Sequence, residues 1–287
     1  MGRRRFKVIF GKKKIQVEEN NQPIEARVAN SKIYGQGVTK IYTDSKKQTL
    51  AIDHVNFDVL ENEFVCIVGP SGCGKSTLLK MIGGLDDISE GSIILDTRRL
   101  DGPGKDRGMV FQGYSLFPWM TVEENIRFGL KLKKMPKPEQ DVIVDKYLEV
   151  IGLTQFRNSL PKELSGGMKQ RVAIARALAN QPEVLLMDEP FGALDPHTKS
   201  IMQQLMRKIW QDEHPTIIFV THDIEEAVFL STKIFVMSAR PGRIMAEVPV
   251  YLPYERTLDL KDTPEFIELR RKINNMLHPS DENDLGE

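Results

Sequence analysis

The stretch GPSGCGKST, Gly69 to Thr77, constrains the fold more than any other part of the chain. It matches the pattern GxxxxGK[ST], which carries meaning only where it follows a buried strand and opens a helix. Here the apolar run EFVCIV precedes it and the helical pattern LLKMIGGL follows. Gly69, Pro70, Ser71, Gly72, Cys73 and Gly74 then form a loop whose backbone N–H groups can turn inward on phosphates. Lys75 can reach β and γ phosphates, Ser76 can hold Mg²⁺, and Thr77 completes the motif. An incidental glycine turn would not come with both flanking elements.

The rest of the chain agrees with that start. From Val38 onward, short apolar runs alternate with amphipathic helices, the signature of a mainly parallel sheet covered by helices. The runs are Phe64 to Val68, Met109 to Phe111, Val184 to Met187, Ile217 to Val220 and Ile234 to Met237. After the turn ARPGR, Ile244, Ala246, Val248 and Val250 alternate, and Pro249 predicts an edge strand. A mostly helical insertion over about 114–163, with NIRFGLKLKKM and VIVDKYLEVIGL, predicts a lobe beside the sheet. Thr263 and Pro264 start a helix over EFIELRRKINNML. The boundaries expected are a basic extension over 1–36, a nucleotide-binding domain over 37–260, and a helix with an acidic tail over 261–287.

With 287 residues and 40% hydrophobic content the chain can bury one large core. Lys plus Arg and Asp plus Glu are both 40, so overall charge gives no argument for nucleic acid. No apolar run approaches the roughly 18 to 20 residues needed to cross a bilayer. The hydrophobic stretch near the start, Val8 to Phe10, is too short for a secretory signal, and an intracellular protein is expected. Cys66 and Cys73 suggest neither a disulfide framework nor a metal site. The basic residues Arg3, Arg4, Arg5, Lys7, Lys12, Lys13 and Lys14 read as a solvated flexible tail. Contact with an anionic membrane face is the sharper alternative, at about 1 kcal/mol per basic residue.

Chemistry gathers where strands stop. VLLMDEP ends in Asp188 and Glu189, GMVFQ in Gln112, and TIIFVTH in His222. In open parallel sheets, ligands bind outside the carboxyl ends of the strands, so these four side chains are expected around the phosphate loop. Asp188 suits Mg²⁺, and Glu189 can polarise the water attacking the γ phosphate. Gln112 can ligate Mg²⁺ and orient that water, while His222 can hydrogen-bond the γ phosphate. Singly, each is more often a capping or core residue; together, beside a phosphate loop, they read as a site. Tyr42 can stack on an adenine.

A second glycine turn lies in LSGGMKQRVAIARAL, where Ser165 can cap a helix beginning Gly166, Gly167, Met168. Apolar residues recur there at helical spacing: Met168, Val172, Ala175 and Leu178. Two glycines in a first turn form helix poorly, but they let an anion approach bare N–H groups. No strand precedes them and no Lys follows them, so LSGG cannot hold a nucleotide alone. Another surface must supply the rest, and a two-fold partner fits best.

GPSGCGKST, Gln112, LSGGMKQR, LLMDEP, GALD and the His222 loop, in this order over about residues 38–248, resemble the ATP-binding subunit of an ABC transporter. The resemblance implies a P-loop NTPase core of mainly parallel sheet with helices on both faces. It also implies an N-terminal antiparallel β subdomain and a helical lobe. Activity would be ATP hydrolysis with Mg²⁺, in a head-to-tail dimer of identical or related subunits sandwiching two ATP. Ser165, Gly166 and Gly167 would then serve the neighbour's nucleotide, and Asp195 would lie near the seam.

SLFPWMTVEENI and MSARPGRI resemble the importer branch for nitrate, sulfonates, taurine or bicarbonate. Implied partners are two transmembrane permease subunits and an extracytoplasmic solute-binding protein, with this subunit peripheral on the cytoplasmic face of the cell membrane. The competing reading is a soluble ABC-type ATPase acting on ribosomes or DNA. Such proteins usually carry two ATP-binding units or a long coiled insertion in one chain. A small-molecule kinase or GTPase would leave LSGG without a role, and no NKxD motif is present.

Overall fold

The computed structural model describes residues 5–10, 13–18, 30–44 and 47–278. Two strands within the basic segment, β1 (Arg5–Phe10) and β2 (Lys13–Glu18), pair antiparallel; the other residues of 1–29, and the acidic tail from 279 on, lie outside the described residues. The sheet of the domain begins with β3 (Ile33–Asp44), earlier than the boundary at 37. Ile33 is fully buried and pairs with Val59 on one side and Leu95 on the other, which anchors the strand start.

Two larger sheets make the frame. β3, β4 (Lys47–Val59), β6 (Glu90–Leu95) and β7 (Arg98–Arg99) form an antiparallel sheet in the order β4-β3-β6-β7. The other has six strands in the order β12-β11-β5-β10-β9-β8. These are β5 (Phe64–Val68), β8 (Arg107–Val110), β9 (Val184–Asp188), β10 (Thr216–Val220), β11 (Lys233–Met237) and β12 (Ile244–Pro249). All neighbours are parallel except β12, which pairs antiparallel with β11 at the edge. Each run predicted from the sequence is a strand here, but Phe111 lies beyond β8 and is exposed.

The strands β5, β9, β10 and β11 are buried along their whole length, as continuous apolar runs in a parallel sheet must be. Alternate side chains divide between two cores because successive residues of a strand face opposite ways. Val65, Ile67, Leu186, Val220 and Phe235 pack with Leu78, Leu79, Met81 and Ile82 of α1 (Lys75–Ile82) and with the antiparallel sheet. Phe64, Cys66, Met187, Phe219 and Val236 pack on the opposite face. That face is covered by α4 (Gly166–Ala179), α5 (Pro196–Glu213), α6 (Ile224–Leu230) and α7 (Pro264–Leu277).

The lobe consists of α2 (Val122–Leu132), α3 (Lys137–Val150) and two short 3₁₀ turns, all packed toward α4. Residues 114–121, expected at its start, are not helical. Thr121 caps α2 reciprocally with Glu124, which fixes the helix start there. Asn125, fully buried, accepts from Phe117 N and donates to the carbonyls of Phe117, Met120 and Thr121. Those bonds give Phe117 N and Met120 O their partners and add a second donor to Phe117 O and Thr121 O.

Candidate functional site

The phosphate loop runs from the end of β5 into α1. Gly72 and Gly74 have φ of 71° and 107°, a left-handed backbone that side chains avoid. A Cβ on Gly74 would also stand 2.5 Å from Ile52 Cδ1. Gly74 sits at the N-cap of α1, with no side-chain cap and no acidic residue in the first turn. The N–H groups of that turn are therefore left for an anion. Ser71 lies exposed in the loop, Gly69 and Cys73 are buried, and Pro70 is half-buried.

Lys75 is buried to 4% exposure, and its Nζ donates to the carbonyls of Gly69 at 2.9 Å and Pro70 at 3.0 Å. Among the described residues no carboxylate lies within ion-pair distance of it. A buried ammonium met by two carbonyls and, at 4.0 Å, by the Cys73 sulfur, with no carboxylate beside it, suits a negative ligand.

Sequence reading placed Asp188, Glu189, Gln112 and His222 at strand ends, and the fold brings those ends to one edge. Ser76 Oγ donates to Asp188 Oδ1 at 2.7 Å, joining α1 to β9. Glu189 is the first residue after β9. It has φ of 43°, costing about 1 kcal/mol for a residue other than glycine, and its N–H donates to Val220 O. That turn swings its carboxylate away from Asp188 to His222 Nδ1, at 2.9 Å from Glu189 Oε2. His222 lies just past β10. Gln112 lies past β8: a Cβ on Gly192 would be 3.6 Å from Gln112 Nε2 and 3.7 Å from Glu189 Oε2. The amide and the carboxylate thus flank the same glycine.

Tyr42, 43% exposed, lies on the other side of the loop, on β3. Its hydroxyl donates to Asp86 Oδ2 at 2.7 Å and lies 3.5 Å from Thr77 Oγ1, and Lys40 Nζ stands 4.9 Å from the ring centroid. Burial and the Asp86 carboxylate push the phenol above its ordinary value. Burial alone would raise Asp86, but Lys40 and Tyr42 hold it below the usual carboxylate range. Tyr42 lines a cleft of about 280 Å³ with Thr49, Ala51, Gly72, Gly74, Thr77 and Arg240.

Ser165 caps α4 as predicted, accepting from Met168 N at 3.3 Å, and is exposed. The two glycines after it also have a reason within the chain. A Cβ on Gly166 would lie 2.8 Å from the Tyr114 hydroxyl, and one on Gly167 2.4 Å from Thr198 Cγ2. Asp195 caps α5 by accepting from Thr198 N at 3.0 Å, and the Thr198 side chain together with that N–H holds its carboxyl below the ordinary range.

Sequence reading missed the support behind His222. Thr221 Oγ1 donates to buried Glu226 at 2.5 Å and accepts from Asp223 N, while Lys199 Nζ of α5 pairs with Asp223 at 2.7 Å. It also missed Gly192 and Arg240. The phrase TIIFVTHDIEEA carries these acids, but nothing in it tells which of them turn inward.

A family model described as ABC transporter matches residues 52–192. An uncharacterized ABC transporter ATP-binding protein of Methanocaldococcus jannaschii is 50% identical over 246 residues, covering 86% of this chain and 91% of its own length. The nitrate import ATP-binding protein NrtD of Synechocystis sp. is 48% identical over 246 residues, covering 84% and 92%. The aliphatic sulfonates import ATP-binding protein SsuB of Bacillus cereus is 48% identical over 237 residues, covering 83% and 92%. Among solved structures, a dimeric post-hydrolysis state of an ATP-binding cassette bound to ADP and Pi is similar with a TM-score of 0.68 and 36% identity. It covers 77% of this chain and 100% of that chain. The ordered phosphate loop, the strand-end acids and these matches agree, and the chain belongs to the ABC transporter family as an ATP-binding, ATP-hydrolysing subunit of the branch that includes nitrate and sulfonate import proteins.

Proposed function

We propose that this chain is the energy-coupling subunit of an importer for a small solute, an anion such as nitrate, a sulfonate, taurine or bicarbonate. Two copies, or this chain and a related one, close head to tail on two ATP. Gly69 to Thr77 of each hold one nucleotide, and Ser165, Gly166 and Gly167 of the neighbour cover it. Permease subunits in the membrane and an extracytoplasmic binding protein complete the system, with this subunit peripheral on the cytoplasmic face. Among the described residues no helix is long and apolar enough to cross a membrane. The names of the relatives support the solute class, and the dimeric solved relative supports the sandwich.

The residues fit Mg²⁺ and a nucleotide. Ser76 Oγ and Asp188 Oδ1, 2.7 Å apart, are hard oxygen donors that suit a hard divalent cation, with Gln112 as a further ligand. When bound, Mg²⁺ neutralises charge on the β and γ phosphates. Lys75 supplies its buried charge to the same groups. Glu189, oriented by His222, accepts a hydrogen bond from the attacking water and draws off its proton. His222 donates to the γ phosphate, so the Glu189–His222 pair links hydrolysis to the presence of that phosphate. Tyr42 stacks on the base.

The observation that carries the reading is the division of the site. Lys75, Asp188, Glu189 and His222 converge at one strand edge, while exposed Ser165 caps a separate helix. For Glu189→Gln, we expect ATP binding to persist, turnover to fall by at least about a hundredfold, and light scattering to show an ATP-dependent dimer. Unchanged turnover would remove Glu189 from the chemistry. Ser165→Arg should stop turnover while leaving nucleotide binding by the monomer intact; loss of that binding would assign Ser165 to its own chain's site.

A further inference from the structure

The carboxyl end of β11 lies beside that of β5, on the side opposite β10, β9 and β8. There the chain turns through residues 238–243 into β12, and this turn is wedged between the phosphate loop and β4. Gly242 N donates to Ala51 O at 2.9 Å, and Asp53 N donates to Gly242 O at 3.0 Å. A Cβ on Gly242 would stand 2.2 Å from Cys73 O, so the turn lies directly against the loop. Arg243 closes the arrangement by pairing with Asp53.

Arg240 projects from this turn into the cleft shared by Tyr42 and the phosphate loop. Its Nε donates to Gly72 O at 2.6 Å. Among the described residues no carboxylate pairs with it, in contrast to Arg243. A guanidinium carries five donors, so the Gly72 bond fixes Arg240 without exhausting it. Arg240 is exposed, so its remaining donors face the open cleft and are free to meet a ligand there. The cleft runs from an aromatic ring suited to a base to a loop suited to phosphates, so the negative part of a nucleotide passes this point.

We infer that Arg240 is a further nucleotide-binding residue, giving a charge-assisted hydrogen bond from its free guanidinium nitrogens to a phosphate oxygen of the nucleotide seated between Tyr42 and Gly72. This rests on the nucleotide site proposed above. The turn after β11 thereby becomes the second wall of the site, facing the wall built by β8, β9 and β10. Its cation acts on binding, whereas the opposite wall acts on hydrolysis.

Calorimetric titration of the full chain with MgADP tests the assignment. Arg240→Gln is expected to weaken binding about tenfold, the size of one charge-assisted hydrogen bond. Because the lost contact is ionic, affinity should also become less sensitive to salt. Arg240→Lys, which keeps the charge, should recover part of the loss. Arg243→Gln, which loosens the turn but keeps Arg240, should bind within about twofold of wild type, well under the 1.4 kcal/mol that a tenfold change represents. Wild-type affinity and salt dependence in Arg240→Gln would overturn the inference. An equal loss in Arg243→Gln would overturn it too, by showing that the turn's position and not the guanidinium matters. Failure of the wild-type chain itself to bind MgADP would instead defeat the nucleotide site on which the inference stands.

Discussion

At the scale of single residues, Gly167 shows two demands meeting at one position. In the proposed dimer it must let a phosphate approach, yet within its own chain it already has no room for a methyl group, because Thr198 Cγ2 stands 2.4 Å from where a Cβ would be. Gly167→Ala gains up to about 1 kcal/mol of helix propensity but must push Thr198 aside, at about 1 to 3 kcal/mol. We expect the variant to be less stable in urea unfolding without nucleotide. Combined with Thr198→Ser, which removes the offending methyl, the same substitution should become neutral or stabilising. A Gly167→Ala variant as stable as wild type would mean that this contact does not restrict the position. Glu189 makes a related point. Its left-handed φ separates its carboxylate from that of Asp188, so two adjacent acids in the chain take different partners.

At the scale of elements, the loop between β8 and α2 depends on one side chain. Phe117, Met120 and Thr121 place their backbone groups on buried Asn125 through four hydrogen bonds. Asn125→Ala takes the partner from Phe117 N and Met120 O, while Phe117 O keeps Met120 N and Thr121 O keeps the backbone N–H of residue 125, and we expect a loss of about 2 to 3 kcal/mol. Hydrogen exchange should quicken at Phe117 first, since its N–H is the donor to Asn125. An unchanged exchange rate there would show that water or a rearranged loop replaces the amide. Helix periodicity predicted α2 and α3, but the segment before them, SLFPWMT, has no period, and its shape comes from a residue further along.

At the scale of the whole molecule, several acids couple stability to pH. The Asp223 carboxyl would be raised by burial, but Lys199 and the N–H of Glu226 hold it below the usual range. Asp53 is held down by His54 and Arg243, and Asp86 by Lys40. A carboxylate with a depressed value stabilises the fold above its unfolded value, and that stability is lost as pH falls through the folded value. Buried Glu226 acts oppositely: burial pushes it up, so its protonation in mild acid favours the folded state. Stability should therefore hold through mild acid and drop steeply below about pH 4. Asp223→Asn should be about 1 to 2 kcal/mol less stable than wild type at neutral pH, a gap that closes in strong acid. A gap independent of pH would mean that the ionised form contributes nothing.

The chain's order alone determined the elements that bury themselves and the motifs whose chemistry is local. EFVCIV, VLLMD and TIIFV are apolar from end to end, which leaves a buried parallel strand as the reading, and GPSGCGKST carries its own glycines, lysine and hydroxyl. The strand-end residues Gln112, Asp188, Glu189 and His222 were legible because a parallel sheet delivers all its carboxyl ends to one edge. Tertiary structure decided what comes from elsewhere. That Ser76 meets Asp188, that Thr198 crowds Gly167, and that Arg240 reaches Gly72 all join residues distant in the chain. Periodicity tells which face of an element is buried, but not which neighbour covers it; only the docking of one element on another supplies that partner.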